Sequence, residues 1–273
     1  MKDRLMLQLA VLFIATQLLG LYVAQDLIKA DVKAELFTEN SEDVENAVGL
    51  FAYIIVFTII FLAAIKFMKA GILFKAFEAL AIFGTGIIVF STIPLVNELA
   101  LMFAVLLVIL RNVLRESLAL KNFAAMIAVA GAGSLIGVSL GIFPVLVFVI
   151  LLSAYDIIAV FFTKHMVEMA KGITEQNVAF TFSLPTEKHV FQLGTGDLVI
   201  PLVFSVSAMN SAALKGIVFP NFLIPGILIL TASLIGLILT LEFARRKEIA
   251  LPALPPQAVL MIIAWMISAA ILG

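Results

Sequence analysis

The sequence predicts an all-α, polytopic membrane protein with nine transmembrane helices, an inside (cytoplasmic) N-terminus and an outside C-terminus. Of the 273 residues, 63% are hydrophobic and only 13% are charged, whereas a soluble domain has about 45–50% apolar and 25% charged residues. Apolar runs of about 20 residues, long enough to cross a bilayer as helices, recur along the whole chain. Lysine and arginine are also distributed unevenly between alternating connections, which predicts the orientation.

The nine predicted spans follow one another in regular order. They cover approximately residues 5–25, 47–67, 71–92, 95–113, 121–140, 142–163, 195–213, 222–243 and 252–272. The first apolar run follows Lys2 and Arg4, as in a signal peptide. It is longer than a signal-peptide core, however, and Tyr22-Val23-Ala24 is a poor cleavage site. We therefore predict that this run remains as a helix.

The basic residues give the orientation of these spans. With the N-terminus inside, the five inside segments hold 14 of the 17 lysines and arginines. Only Lys29, Lys33 and Lys215 then fall outside. Because a miscounted helix would scramble this split, it supports both the count of nine and the inside N-terminus.

The domain organisation predicted from these spans is a single membrane domain over residues 1–273. Helices 1–6 lie within 1–164, a cytoplasmic loop covers 165–194, and helices 7–9 lie within 195–273. Within the loop, apolar and polar residues alternate from Phe180 to Leu184, which predicts a short strand.

Composition excludes several classes of protein. The net charge of −1 provides no basic surface for nucleic acid. There is no cysteine, so disulfides and thiolate metal sites cannot form. The two histidines, His165 and His189, both lie in the polar loop, and we expect no metal site and no cofactor.

Two aspartates interrupt the apolar runs. A carboxylate near the hydrocarbon layer costs about 2.5–3.5 kcal/mol, so Asp156 and Asp197 are interpreted as a functional site. Asp156 lies eight residues before Lys164, the first inside charge after helix 6, and Asp197 lies eight residues after His189. Eight helical residues correspond to about 12 Å. Both carboxylates are therefore predicted at a similar depth in the inside half of the membrane.

Two adjacent carboxylates share one proton, because both cannot ionise cheaply. This state suits amide hydrolysis, in which the ionised acid takes a proton from water and the protonated acid donates one to the oxyanion. A pair of structural acids, each hydrogen-bonded to a neighbouring helix, is the alternative that the residues alone leave open.

Glycines surround the second aspartate. Gly194 and Gly196 carry no Cβ, so the backbone there can bend or approach another chain closely. Small residues also serve ordinary helix packing, which makes Gly-x-Gly-Asp alone a weak signal.

Three prolines fall between residues 252 and 256 and predict an irregular segment at the inside surface. Non-helical backbone at membrane depth occurs where it lines a cavity or is buried in protein. The simpler alternative is that these prolines only begin helix 9.

Tyr155-Asp156, Gly194-Thr195-Gly196-Asp197 and Pro252-Ala253-Leu254, on the sixth, seventh and ninth spans, resemble the motifs of the presenilin/signal peptide peptidase family of intramembrane aspartyl proteases. The resemblance implies that Asp156 and Asp197 are the catalytic pair and that Pro252-Ala253-Leu254 shapes the active site. Thr195 replaces the leucine usual at that variable position. No metal or cofactor is implied.

The resemblance is to compact microbial, in particular archaeal, homologues in the cell membrane, without the long inhibitory loop of animal presenilins. The implied partners are transmembrane helices of substrate proteins or signal peptides, together with the lipid bilayer. No obligatory accessory subunit is expected, and a homo-oligomer is left open.

Two further polar residues have structural interpretations. Tyr155 is either a packing or interfacial residue or a hydrogen-bond partner of the carboxylate pair. Glu78 lies three residues after Lys75 on the third span and is predicted to form an i,i+3 ion pair with it near the inside surface.

Proteins of other classes also use intramembrane acids. A proton-coupled transporter would use Asp156 and Asp197 as proton sites, but it predicts inverted repeats, and none is evident. A prepilin-type peptidase shares Gly-x-Gly-Asp but has a basic residue soon afterwards, where this chain has Leu198-Val199-Ile200-Pro201. A passive ion channel is the weakest alternative.

Overall fold

The computed structural model describes residues 2–67, 71–94, 96–163, 179–186, 190–247 and 251–272. These residues form nine α-helices and one antiparallel two-stranded sheet. The elements are α1 Lys2–Lys29, α2 Val44–Phe67, α3 Gly71–Ser91, α4 Ala100–Val113, α5 Leu118–Ser139, α6 Ile142–Ile158, β1 Thr181–Pro185, β2 Val190–Gly194, α7 Gly196–Leu214, α8 Ile224–Lys247 and α9 Leu254–Leu272.

The prediction of a mainly helical, polytopic membrane protein is confirmed. Every predicted span coincides with a helix, and eight helices among the described residues are long and apolar enough to cross a membrane. The fourth predicted span contains only the 14 residues of α4, about 21 Å of α-helix, after a 3-10 turn at Asn97–Leu99. The count of nine crossings and the orientation of the termini therefore stay predictions.

Helix α7 lies at the centre of the helix packing. It is the most buried of the eight candidate spans, and it contributes to both large apolar clusters of the core. Leu202 of α7 fits between two glycines, where an added Cβ on Gly20 of α1 or Gly133 of α5 would lie 2.4 or 2.7 Å from its Cδ2 atom. Small residues at these positions let three backbones approach closely, as in other membrane helix bundles.

A β-hairpin leads directly into α7. The strand predicted near Phe180–Leu184 is confirmed as β1, and it pairs antiparallel with β2, with Thr181 opposite Gly194 and Ser183 opposite Gln192. The remainder of the predicted loop, including His165 and His189, lies outside the described residues. The hairpin is buried along β1 and packs on α5 and α1, so the start of α7 is fixed by structure on both sides.

Candidate active site

Asp156 lies in the last turn of α6, where the helix changes its geometry. After Ile158 the chain continues as a π-helical turn over Ala159–Thr163. The N–H of Ala159 donates to the carbonyls of both Asp156 and Tyr155. Single π-helical turns inside longer helices are rare and occur frequently at functional sites.

Asp197 is the second residue of α7, and the residues before it are held by the hairpin. The N–H and the Oγ1 of Thr195 both donate to the carbonyl of Phe180, at 3.2 and 3.1 Å. An added Cβ on Gly194 would lie 3.7 Å from Oδ2 of Asp197, whereas one on Gly196 would meet open space. Glycine at position 194 thus keeps one side of the carboxylate accessible.

The first turns of α7 also receive support from α1. Pro201 lies inside α7 and has no N–H to donate to the preceding turn. The side-chain amide of Gln17, which is buried, donates from Nε2 to the carbonyl of Leu198 at 2.9 Å. This bond ties the turn that carries Asp197 to a helix far away in sequence.

The segment Pro252-Ala253-Leu254 meets the first aspartate directly. The N–H of Leu254 donates to Oδ2 of Asp156 at 3.1 Å. Helix α9 begins at Leu254, so Pro252 and Ala253 lie outside it, as the predicted irregular segment requires. Pro255 and Pro256 occupy its first turn, where proline N–H groups would have no helical partner anyway.

The two carboxylates lie near each other at the ends of α6 and α7. Helices α6 and α7 pack against each other, and both aspartate side chains are half-buried. The bond from Leu254 to Asp156 brings the third motif to the same end of these helices. Two neighbouring acids can share a proton.

Comparison with known proteins agrees with this geometry. A sequence model of the family "signal-peptide peptidase, presenilin aspartyl protease" matches residues 10–273. The chain belongs to this family. It is accordingly an intramembrane aspartic protease, a hydrolase, and the transporter, prepilin-peptidase and channel alternatives are not favoured.

The fold of the protease is that of two solved structures of a presenilin-family intramembrane aspartate protease. The one in a C222 crystal form has a TM-score of 0.71 and 23% sequence identity, covering 97% of this chain and 99% of that chain. The one in a P2 crystal form has a TM-score of 0.68 and 24% identity, covering 96% of each chain. No curated protein sequence matches the protease significantly.

The side chain of Tyr155 links α6 of the protease to α2. Its ring packs edge-on against Phe51 of α2 at a centroid distance of 6.2 Å, and its hydroxyl lies near Thr58 of the same helix. Tyr155 therefore packs against a neighbouring helix, and its role beside the carboxylate pair stays a prediction. Thr58 was not singled out by sequence, because a lone threonine in an apolar run carries no signal.

The predicted ion pair between Glu78 and Lys75 is wrong. Glu78 is buried and binds Arg111 and Arg115 of the neighbouring α4 region, with N–O distances of 2.9 Å to each, while Lys75 is exposed. The i,i+3 spacing favoured a surface pair, but the carboxylate faces the bundle, where a buried charge requires close partners. The sequence feature that could have indicated this ion pair is the similar predicted depth of Arg111 and Glu78 in the membrane.

Among the residues that the structure describes, no three His, Cys, Asp or Glu side chains come together as metal ligands. The chemistry available at the meeting point of α6, α7 and α9 is that of two carboxylates and backbone N–H groups.

Proposed function

We propose that Asp156 and Asp197 are the pair with which this protease hydrolyses peptide bonds inside transmembrane segments of membrane proteins or signal peptides. The observation that carries the proposal is the bond from the N–H of Leu254 to Asp156, with Asp197 at the start of α7, which packs against α6. The ionised acid takes a proton from a water that attacks the peptide carbon, and the protonated acid donates its proton to the carbonyl oxygen. Collapse of the tetrahedral intermediate breaks the C–N bond as the amine takes up a proton.

The backbone donors give this mechanism its geometry. The first N–H groups of a helix have no partner within the helix. Here the first residue of α9, Leu254, donates such an N–H to Asp156. Such backbone donors fix the orientation of the Asp156 carboxylate. Because a backbone N–H does not titrate, the shared proton stays on one of the two aspartates.

The experiment that tests this function uses the purified protein in liposomes with a synthetic transmembrane peptide. Discrete products identified by mass spectrometry, with cleavage inside the apolar stretch, are the expected result. Because all three motifs of the proposed site lie on this one chain, we also propose that the single chain cleaves without an accessory subunit. Intact peptide after prolonged incubation in several lipids would contradict both statements.

We propose nine membrane crossings with an inside N-terminus, in the cell membrane of a microbe. The support is the 14-to-3 division of basic residues and the helices that coincide with every predicted span. A reporter fused after Gly273 is expected to read outside, and one inserted within 165–190 is expected to read inside. A fusion between α1 and α2, expected outside, is the control for the first crossing. Opposite readings would overturn the orientation and the inferred depth of the aspartates.

A helical substrate has to be unwound before it is cut, because its peptide groups are enclosed by the helix. Unwinding leaves N–H and C=O groups unpaired, at several kcal/mol each in hydrocarbon. A strand edge in the enzyme can pair them by β-strand addition. The hairpin just before Asp197 offers two edges, one on β1 and one on β2.

The edge of β1 is already closed. Asn122 of α5 donates from Nδ2 to the carbonyl of Ser183 at 2.9 Å, and its Oδ1 accepts the N–H of Ser183 at 2.7 Å. The side-chain amide thus takes the position of a neighbouring peptide group. Ser183 and Gln192 are opposite each other, and in such an antiparallel pair both residues direct their N–H and C=O groups either toward or away from the partner strand. Since the groups of Ser183 point away from β2, those of Gln192 point away from β1.

We therefore propose that the unwound substrate pairs with the outer edge of β2. The N–H and C=O groups on that edge belong to alternate residues, which include Gln192 and Gly194. Gly194 is the residue whose missing side chain leaves Asp197 accessible. A strand bound here would place its peptide groups beside the aspartates.

This arrangement predicts an alternating response to N-methylation of the substrate. Methylation at alternate residues beside the cleavage site is expected to lower kcat/KM about tenfold or more, because it removes an N–H that pairs with β2. Methylation at the intervening residues should have much less effect. The measurement is the cleavage rate of a series of peptides with one N-methyl group each. Equal effects at consecutive positions would contradict pairing with a strand edge.

A further inference from the structure

A buried charged cluster lies beside the hairpin, away from the two aspartates. The carboxylate of Glu78 on α3 accepts from Nε of Arg111 on Oε1 and from Nη2 of Arg115 on Oε2, each at 2.9 Å. Glu78 is 3% exposed and Arg111 is 1% exposed. Ionic groups this deeply buried cost stability unless all their bonds are made, so the cluster is a place of fixed geometry.

A third donor on this carboxylate comes from a distant part of the chain. The backbone N–H of Ala179 donates to Oε1 of Glu78 at 2.8 Å. Ala179 is buried and lies two residues before β1. The cluster therefore holds the beginning of the hairpin through its backbone, whatever side chain residue 179 carries.

Phe180, the residue after Ala179, connects this part of the hairpin to α7 by hydrogen bonds. The carbonyl of Phe180 accepts both the N–H and the Oγ1 of Thr195, the residue that precedes α7. The carbonyl of Thr195 in turn accepts the N–H groups of Leu198 and Val199, at 3.1 and 2.9 Å. Asp197 lies inside this hydrogen-bonded turn.

We propose that Glu78 is a positioning residue of the protease, which fixes the hairpin at Ala179 and, through Phe180 and Thr195, sets the position of Asp197. The inference rests on the catalytic role proposed above for Asp197. Glu78 itself touches neither substrate nor water in the reaction. Its effect is on the placement of an acid relative to the scissile bond, where an error of 1 Å can lower a rate about 100-fold.

The first test is Glu78→Gln, which keeps the shape of the side chain and removes its charge. It also replaces one of the two acceptor oxygens by an NH2 group, so that the two arginines and the N–H of Ala179 compete for a single oxygen. We expect kcat for a transmembrane peptide to fall about tenfold or more while KM changes less than about twofold, since only the catalytic geometry is altered. The matched control is Glu242→Gln. Glu242 binds Arg245 and Arg246 at 2.8 Å each, at the inside end of α8. This control should leave both constants unchanged.

The second test uses Thr195 to separate positioning from general stability. Thr195→Val removes the hydroxyl donor and leaves the charged cluster intact, whereas Thr195→Ser keeps the donor. We expect a lowered kcat for valine and rescue by serine. Glu78 and Thr195 both act through Ala179 and Phe180. The fold-decrease in kcat of the double variant Glu78→Gln/Thr195→Val should therefore be smaller than the product of the two single fold-decreases.

Three outcomes overturn the inference: a normal kcat in folded Glu78→Gln, a loss confined to KM, or multiplicative losses in the double variant. If Glu78→Gln does not fold, Ala179→Pro removes the N–H donor, while it also fixes φ at residue 179, and is expected to lower kcat in the same way. A normal kcat in that variant also overturns the inference. The Asp197→Asn variant separates the two proposals. Activity in Asp197→Asn would refute the catalytic pair, whereas an inactive Asp197→Asn with a normal Glu78→Gln refutes only the role of Glu78.

Discussion

Asp156→Asn and Asp197→Asn are each expected to abolish cleavage of a transmembrane peptide, with kcat lowered by about three orders of magnitude or more. Asparagine has the shape of aspartate but can neither take a proton from water nor donate one to the oxyanion. In Asp156→Asn, the amide oxygen can still accept the N–H of Leu254, so the site should keep its geometry. The measurement is product formation by mass spectrometry at equal amounts of folded protein.

Because the two acids act as a unit, the double variant should be no slower than either single one. Asp26→Asn, at an exposed position near the end of α1, is a matched control that should retain full activity. Substantial activity in Asp156→Asn or Asp197→Asn would refute the catalytic pair, since the remaining acid would then suffice.

The second large effect is expected from the segment before α9. Replacing Pro252-Ala253-Leu254 by three alanines removes the ring that fixes the backbone at residue 252, just before α9. The backbone before α9 then gains freedom, and we expect the N–H of residue 254 to be held less well toward Asp156. We expect kcat to fall about 100-fold, with a much smaller change in KM, because the loss concerns the orientation of a catalytic group.

The control for this variant is the pair of substitutions Pro225→Ala and Leu228→Ala at the start of α8. They remove the same kinds of side chain from another helix beginning, at a position outside the site. Rates should be compared for variants of similar thermal stability. A normal kcat with a stable helical substrate would show that the segment serves only to begin α9.

The sequence was sufficient to locate the helices and to single out the two aspartates as candidates. Apolar runs mark the spans because the bilayer requires about 20 residues of apolar helix, and the observed helices coincide with all nine runs. The predicted depth of Asp197, however, assumed eight helical residues after His189, whereas Val190–Gly194 form strand β2, whose rise is about 3.3 Å per residue. The matching depth of the two aspartates therefore stays a prediction.

Contacts between helices could not be read in the same way. Glu78 and Arg111 are 33 residues apart, and Glu78 and Ala179 are 101 apart. Nothing in their local sequences states which faces of α3 and α4 meet. The bond from Leu254 to Asp156 was also hidden, because its donor is a backbone N–H that every residue other than proline possesses.

The hairpin was predicted in part. Alternation of apolar and polar residues indicated β1, whereas β2 runs into Gly194 and was taken as the approach to a helix. The role of Asn122 could not be foreseen, because a side-chain amide that replaces a neighbouring strand looks like any polar residue near a helix end. Its partner is fixed only when the hairpin packs on α5.

The central position of α7 has a consequence for biosynthesis. This helix is the least apolar and the most buried of the eight candidate spans, and Leu202 fits a slot made by glycines of α1 and α5, which the ribosome delivers earlier. Asp156 gains its backbone donor only when α9 arrives. On the proposed mechanism, a growing chain therefore contains no complete site until α9 has been made.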